Sequence, residues 1–308
     1  MPPKAQLTTT LTKNVIYIID TSGSMAGVAI KQAKNALSYA LSQLQAKDSF
    51  NIIEFNRDAQ ALFPHLLNAT QSNILWAQKW LSHLSANGGT EMYSALDLAF
   101  NQLDKPQVNF ESSPIKNKTL QQQVIFITDG AVGNEQALFK LITNRLKDAR
   151  LHTIGIGSAP NRYFMSTAAE NGRGTYRYIG QINDVQSQMK KLFDQINRPV
   201  MTKIKVTWPN KNIEFFPHNI PDLYAGEPLV LTAKWPKNIE QASTDFKEIA
   251  ITGLLANRPW QQKLKVNKTI KQSGIDTLWA RKKIKHLMPL FQRSYGADKA
   301  DYKQQVTE

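Results

Sequence analysis

The sequence predicts an α/β protein: a doubly wound, mostly parallel central sheet flanked by helices, followed by a small antiparallel β region and a C-terminal helix. Three observations lead there. From Asn14 to about Pro199, short β-rich runs alternate with stretches of helical period, the pattern of parallel strands joined by crossover helices. After Pro199 the pattern changes to short alternating runs broken by prolines, which reads as antiparallel strands. The 308 residues are 42% hydrophobic and 20% charged, and no run approaches the ~18 apolar residues of a membrane span, so a soluble, globular chain is expected.

The strands of the first part are read at Val15 to Ile19, Ser49 to Phe55, Gln123 to Thr128, Leu151 to Ile156 and Thr175 to Ile179. Between the first two, Ile30, Ala33, Leu37, Leu41 and Leu44 keep a helical period, and Leu138, Leu141, Ile142 and Leu146 do so between the third and fourth. Further helices are expected over Ser72 to Leu84, Met92 to Leu103 and Asp184 to Asn197. Trp76 and Trp80 share one face of the Ser72 helix beside Leu84, which suggests a core stripe against the sheet.

In the second part, Ile204, Val206 and Trp208, then Leu229, Leu231 and Ala233, then Ile249 and Ile251, then Leu264 and Val266 suggest a small β-sandwich. Ala280, Ile284, Leu287 and Met288 form the apolar side of a helix from Asp276 to Met288, with Arg281, Lys282 and Lys285 largely elsewhere and Pro289 as its stop. The polar stretch from Arg293 to Glu308 is expected to fray. The expected organisation is thus an extension over 1–12, an α/β domain over 13–198, an antiparallel region over 199–275, and a basic helix with its tail over 276–308.

Having no cysteine, the chain has no thiol nucleophile, disulfide scaffold, iron–sulfur cluster or cysteine zinc site. Its net charge of +14 favours acidic partners or surfaces, and the excess is spread over both parts rather than gathered in one tail. The start, MPPKAQLTTTLTKN, has no apolar stretch of the secretory kind, so export is not expected from this chain alone.

The first strand runs straight into the segment Thr21 to Met25. Asp20, Ser22 and Ser24 alternate there, and Gly23 permits the tight turn that lets three oxygen-bearing side chains converge above the sheet. Two later segments end at the same edge: Thr90 follows two glycines, and Asp129 closes the third strand before Gly130. Parallel sheets bind ligands at these carboxyl ends. Hard oxygen donors suit Mg²⁺ or Mn²⁺, and Ca²⁺ less well if the cage is small. Two formal negative charges and three weak hydroxyl donors leave a divalent ion hydrated and electrophilic enough to accept an outside carboxylate. Taken singly, Ser22 and Ser24 also read as helix caps and Asp129 as a turn residue. Five such residues over three strand-end loops favour the metal.

DTSGSM, GGTEM and FITDGAVGNE resemble the von Willebrand factor type A domain with an intact metal-ion-dependent adhesion site. The resemblance covers about residues 13 to 198. It implies that Ser22, Ser24 and Thr90 ligate the cation directly, that Asp20 and Asp129 do so directly or through water, and that a protein partner's Asp or Glu takes the open position. TDGAVGNE and DLYAGEPLVLTAKWP, with the later LWARKKIKHLM, resemble the inter-alpha-trypsin inhibitor heavy chains and their bacterial relatives, including proteins described as proteobacterial sortase targets. Those relatives usually carry an export signal and further segments and work outside the cytoplasm or at the cell surface. This chain shows none of these segments, so either a truncated relative or separately encoded parts are expected. It also lacks the Asp-Pro-His context of hyaluronan attachment, and that activity is not carried over.

The expectation is a divalent-cation-dependent protein-binding module for adhesion or scaffolding, not an enzyme, whose partner is chosen by loops around Gly27, Asn87 and Ala131. A metal-dependent phosphoester hydrolase is the first alternative, but it wants more carboxylates or a second metal, and none of His65, His83, His152, His218 or His286 lies in the three loops. The basic residues Arg281, Lys282, Lys283 and Lys285 keep a nucleic-acid or anionic-surface reading as a second alternative, less favoured because their helix is short. The glycines of Gly155 to Pro160 lack nucleotide-loop spacing and read as a plain turn, and Glu91 reads as a first-turn helix residue.

Overall fold

The computed structural model describes residues 12–105, 120–130, 133–158, 160–197, 199–218, 220–224, 228–235, 248–255, 258–265, 273–294 and 296–307. The expected extension before residue 12, Ala131 and Val266 lie outside them. The chain divides into two compact units at the Arg198–Pro199 junction.

In the first unit the strands are β1 (Thr12–Asp20), β2 (Ser49–Phe55), β3 (Ala59–Ala61), β4 (Leu67–Asn68), β5 (Leu120–Thr128), β6 (Arg150–Ile156) and β7 (Arg173–Ile179). The helices are α1 (Val28–Ser42), α2 (Gln71–His83), α3 (Met92–Asp104), α4 (Glu135–Arg145), α5 (Arg162–Asn171) and α6 (Val185–Ile196). The sheet order is β3-β2-β1-β5-β6-β7, with β4 also on β2. Strands β2, β1, β5, β6 and β7 run parallel, while β3 and β4 pair antiparallel to β2. Successive strands go outward from β1 to β2 and then return to the other side of β1 as β5. The reversal makes the gap between the ends of β1 and β5 the topological switch point, where such sheets bind ligands.

Both faces of the sheet are covered. Ile16, Ile18, Phe55, Val124 and Phe126 pack with Leu96 and Phe100 of α3, Leu138 and Ile142 of α4, and Phe164 and Met165 of α5. On the other face Tyr17 reaches the Ala40 carbonyl of α1 at 3.4 Å, and its neighbours on that helix, Leu37 and Leu41, are fully buried. This two-sided burial is why β1 and β5 read as continuous apolar runs. On α2 the buried positions are Ala77 and Leu81. Trp76 is 62% exposed and Trp80 only partly covered, so the expected tryptophan stripe is not core; it sits about a quarter-turn off the face that meets the protein.

The contact of β6 with β7 is bulged. Leu151 pairs with Arg173 and Thr153 with Tyr176, so two residues of β7 oppose His152 alone. A Cβ on Gly174 would stand 2.0 Å from the Leu151 carbonyl oxygen, so only glycine fits this approach. The extra residue also turns the Thr175 N–H onto His152 Nδ1 at 3.1 Å. Nδ1 is therefore an acceptor and the proton of the neutral ring sits on Nε2.

The second unit contains β8 (Pro199–Thr207), β9 (Glu214–Phe216), β10 (Leu223–Tyr224), β11 (Thr232–Lys234), β12 (Glu248–Leu255) and β13 (Arg258–Lys265), then α7 (Ile275–Arg293) and α8 (Gly296–Thr307). Its strands form antiparallel sheets in the orders β10-β8-β12-β13 and β11-β9. Leu229 and Leu231 precede β11 rather than lie in it. Two expectations are corrected here. Helix α7 continues through Pro289 to Arg293, so the loss of one backbone N–H bond at the proline does not end it; and the expected frayed tail is helical as α8. The buried side of α7 is also rotated from the expected one. Of the expected apolar side Leu287 is buried, but Ile284 is 38% exposed, and Trp279, outside that expectation, donates to the Glu214 carbonyl at 3.3 Å. Phe216 is the centre of that contact, with ring centroids 5.9 Å from Trp279, 5.4 Å from His286 and 4.9 Å from His218. Burial, and then the nearby His218, push His286 below the usual histidine range, while Glu214 pulls it back.

Two outcomes are expected. Gly174→Ala destabilises the first unit by about 3 kcal/mol or more in urea unfolding, since backbone must move to admit the methyl group. His152 is held down to about 3 by burial and by the Arg150 charge, against 6.5 for an ordinary histidine. The unfolded chain therefore takes up a proton that the folded one refuses. The stability carried by the neutral ring is complete above pH 6.5 and is lost as the pH falls toward about 3. Unfolding free energy measured across that interval falls more steeply for the wild type than for His152→Gln, and equal slopes would contradict the assignment.

Candidate functional site

Asp20 ends β1 and is fully buried. Its Oδ1 accepts the Ser22 N–H at 2.8 Å and its Oδ2 accepts the Thr128 hydroxyl at 2.5 Å, which ties the end of β1 to the end of β5 across the switch point. Thr128 in turn accepts the Gly130 N–H at 2.9 Å. Burial is the main cause that lifts the Asp20 carboxyl above the usual carboxylate range; the hydrogen bonds from Ser22 and Thr128 oppose it, and the Asp129 charge pushes it further up. The site thus holds one buried carboxylate close enough to a second to feel its repulsion.

A single turn of 3-10 helix, Gly23–Met25, follows Ser22 and lowers the chain into α1. Its buried anchor is Met25. The turn leaves the Ser22 and Ser24 hydroxyl oxygens 3.1 Å apart, with Ser24 exposed. Ser22 provides no side-chain cap to this turn, so the capping role open to it in the sequence is not the one it takes.

The Thr90 loop is brought to this turn through backbone bonds. The Asn87 N–H donates to the Thr21 carbonyl at 2.7 Å and the Gly23 N–H to the Gly88 carbonyl at 3.1 Å. Thr90 is exposed at the end of that loop, and the Glu91 N–H beyond it donates to the Asn56 carbonyl at 2.6 Å. Glu91 stands just before α3 and makes no side-chain cap bond. Asp129 is partly exposed directly after β5, and its carbonyl accepts the Asn161 N–H at 3.0 Å. Gly130 has a φ of +74°, and a Cβ there would stand 3.2 Å from both Asn161 Cβ and Met165 Cγ, so the turn after Asp129 needs glycine on two counts.

Hydrogen bonds therefore join Asp20, Ser22 and Ser24 and place the Thr90 loop against Gly23, and the Asp129 charge stands near enough to act on Asp20. Thr128 was missed by sequence reasoning. As the last residue of a β-rich run it reads as ordinary strand, and the only signal for it was its place immediately before Asp129.

The donor set fits a small divalent ion. Ligands held about 2.1 Å from an octahedral Mg²⁺ stand about 3 Å apart when adjacent, close to the separation of the two serine oxygens, whereas Ca²⁺ spreads its ligands more widely. Both oxygens of Asp20 already accept protein hydrogen bonds, which suits a role through intervening water better than a direct bond. Among the described residues, no group of three or more His, Cys, Asp or Glu gathers in the manner of a catalytic metal cluster.

Residues 13–178 match the family description von Willebrand factor type A domain. The inter-alpha-trypsin inhibitor heavy chain 4 of Mus musculus is 31% identical over 210 residues, covering 67% of this chain and 22% of the relative. Heavy chain H3 of the same species is 24% identical over 300 residues, covering 93% of this chain and 33% of the relative. The chain therefore spans a third or less of these curated relatives' length. Among solved structures, a von Willebrand factor type A protein from Catenulispora acidiphila superposes with a TM-score of 0.60 at 19% identity, covering 87% of this chain and 68% of that one. The ArnB paralog VWA2 from Sulfolobus acidocaldarius gives 0.51 at 15% identity, covering 97% and 78%. At these identities the structures show a shared fold. With a family match over more than half of its length, the chain belongs to the von Willebrand factor type A domain family, distantly related to the inter-alpha-trypsin inhibitor heavy chains.

Proposed function

We propose that the protein is a divalent-cation-dependent protein-binding module, serving adhesion or scaffolding, in which Asp20, Ser22, Ser24, Thr90 and Asp129 hold Mg²⁺ or Mn²⁺. Ser22, Ser24 and Thr90 supply hydroxyl oxygens, and Asp20 and Asp129 supply the negative charge. The bound ion acts as a Lewis acid for a carboxylate presented by a partner's Asp or Glu. The observation that carries this reading is the placement at the switch point of a buried carboxylate and two serine oxygens 3.1 Å apart. Family membership and the relation to the inter-alpha-trypsin inhibitor heavy chains support it.

In this reading the chain binds a partner and catalyses nothing. His152, buried within β6 against Thr175, is committed to the core, and the chain has no cysteine to serve as a nucleophile. Among the described residues no helix is long and apolar enough to cross a membrane.

Calorimetric titration of the full chain with Mg²⁺ and Mn²⁺ tests the reading. Saturable binding of about one ion per chain is expected in the wild type. It should be lost in Asp129→Ala and Ser22→Ala, each shown by circular dichroism to be folded. A wild type that binds neither ion removes the proposal, as does undiminished binding in both folded variants.

A second expectation isolates Thr128. Thr128→Val keeps the shape of the side chain but leaves Asp20 Oδ2 and the Gly130 N–H without their shared partner. It should cost about 1–3 kcal/mol in urea unfolding and weaken Mg²⁺ binding about tenfold, because the residue orients a ligand without being one. An unchanged ion affinity would separate Thr128 from the site.

A further inference from the structure

The residue after Asn56 has a placement that the metal reading does not use. Asn56 follows β2 and is held between the two loops of the site: its side-chain amide donates to the Thr21 hydroxyl at 3.3 Å, and its carbonyl accepts the Glu91 N–H at 2.6 Å. Arg57 is thereby delivered to the glycines that precede Thr90. A Cβ on Gly88 would stand 3.3 Å from Arg57 Cγ and 3.6 Å from its Nε, and a Cβ on Gly89 3.4 Å from the same Cγ. The aliphatic stem thus lies along Gly88 and Gly89, in space that any larger residue there would occupy. Arg57 is exposed, and among the described residues its guanidinium has no ion pair or hydrogen bond, although Asp58 and Glu91 are close in the chain or through Asn56.

A guanidinium with its stem laid on backbone is a preorganised fork for a carboxylate, since part of the side-chain entropy is already lost before binding. Its position beside Thr90 puts that fork at the rim of the ion site. We infer that Arg57 is a second anchor for the partner, and that the partner is an acidic protein segment carrying two carboxylates, one for the ion and one for Arg57. This rests on the metal reading above and deepens it. A partner with a single acidic residue would use the ion alone. One with two at the right spacing would gain a bidentate, charge-assisted pair at the rim and would be chosen over the first.

The test uses the full chain at saturating Mg²⁺ and blocked peptides as probes: Gly-Asp-Gly with one carboxylate, and a series with two Asp residues separated by zero to three glycines. Titrations followed by NMR give the affinities. In the wild type, one spacing should bind about threefold to tenfold more tightly than the single-Asp peptide. That gain should vanish in Arg57→Ala and be partly kept in Arg57→Lys, whose ammonium attracts without the fork. Absence of a gain at every spacing, or a gain that survives Arg57→Ala, overturns the proposal. Magnesium titration of the same wild-type sample distinguishes the two levels. No ion binding removes the metal reading beneath, whereas ion binding without a two-carboxylate gain removes the role of Arg57 alone.

Discussion

The carboxylate of Asp20 is buried with both oxygens committed inside the protein, and the loops above the sheet are arranged by that commitment. A charged carboxylate out of water is costly unless its oxygens are satisfied. Here one is met by the Ser22 amide and the other by the Thr128 hydroxyl. The first bond turns the chain sharply after β1, so that the Ser22 and Ser24 hydroxyls come together. The second locks the ends of β1 and β5 at the switch point. Asp129, one residue beyond Thr128, is carried to the same edge as a consequence, and its charge acts against that of Asp20. A buried carboxylate that feels a second charge beside it, near two serine hydroxyls, is an arrangement that a divalent cation would relieve.

How legible this was from the sequence depended on whether a residue's role is local. Strands β1 and β5 were readable because a parallel sheet buried on both faces favours continuous apolar runs, β2 and β6 because they are β-rich, and Asp20 and Asp129 stood out because each puts a charge at the end of such a run. Ser22, Ser24 and Thr90 were legible by spacing. Strands β3 and β4 escaped notice since two or three residues carry no period, and α5 because its buried Phe164, Met165 and Ala168 lie among polar neighbours. Thr128 and Arg57 were invisible for another reason: what distinguishes them is a partner far away in sequence, Asp20 for one and Gly88 with Gly89 for the other.

The second unit shows the same limit on helix faces. Periodicity places Ile284 with Leu287 on the apolar side of α7; Leu287 is buried, yet Ile284 is exposed and it is Trp279 that meets β9. Phe216 decides it. Its ring gathers Trp279, His218 and His286, and Lys283 lies over the Trp279 ring at 5.2 Å while reaching Glu214 at 3.4 Å. A lysine whose stem packs and whose ammonium finds both a π-face and a carboxylate belongs at a contact, although a binary pattern assigns it to solvent.

Charge explains why the proposed site would favour an acidic partner over a neutral one. Asp20 and Asp129 together would balance a divalent cation, and the hydroxyl donors would add nothing, so the loaded site would have about zero formal charge. An approaching carboxylate would then meet no net repulsion from the site and a water on the ion that it can replace. The positive field it feels must come from elsewhere: from Arg57 at the rim, and from a chain whose net charge is +14. Distant lysines are screened beyond about 8–10 Å at physiological salt, so they can hasten an encounter but cannot tell one acidic segment from another. Arg57, whose stem lies along the two glycines before Thr90, can. Affinity for a carboxylate would thus reside in the ion, while discrimination among acidic partners would reside in a side chain held by two glycines.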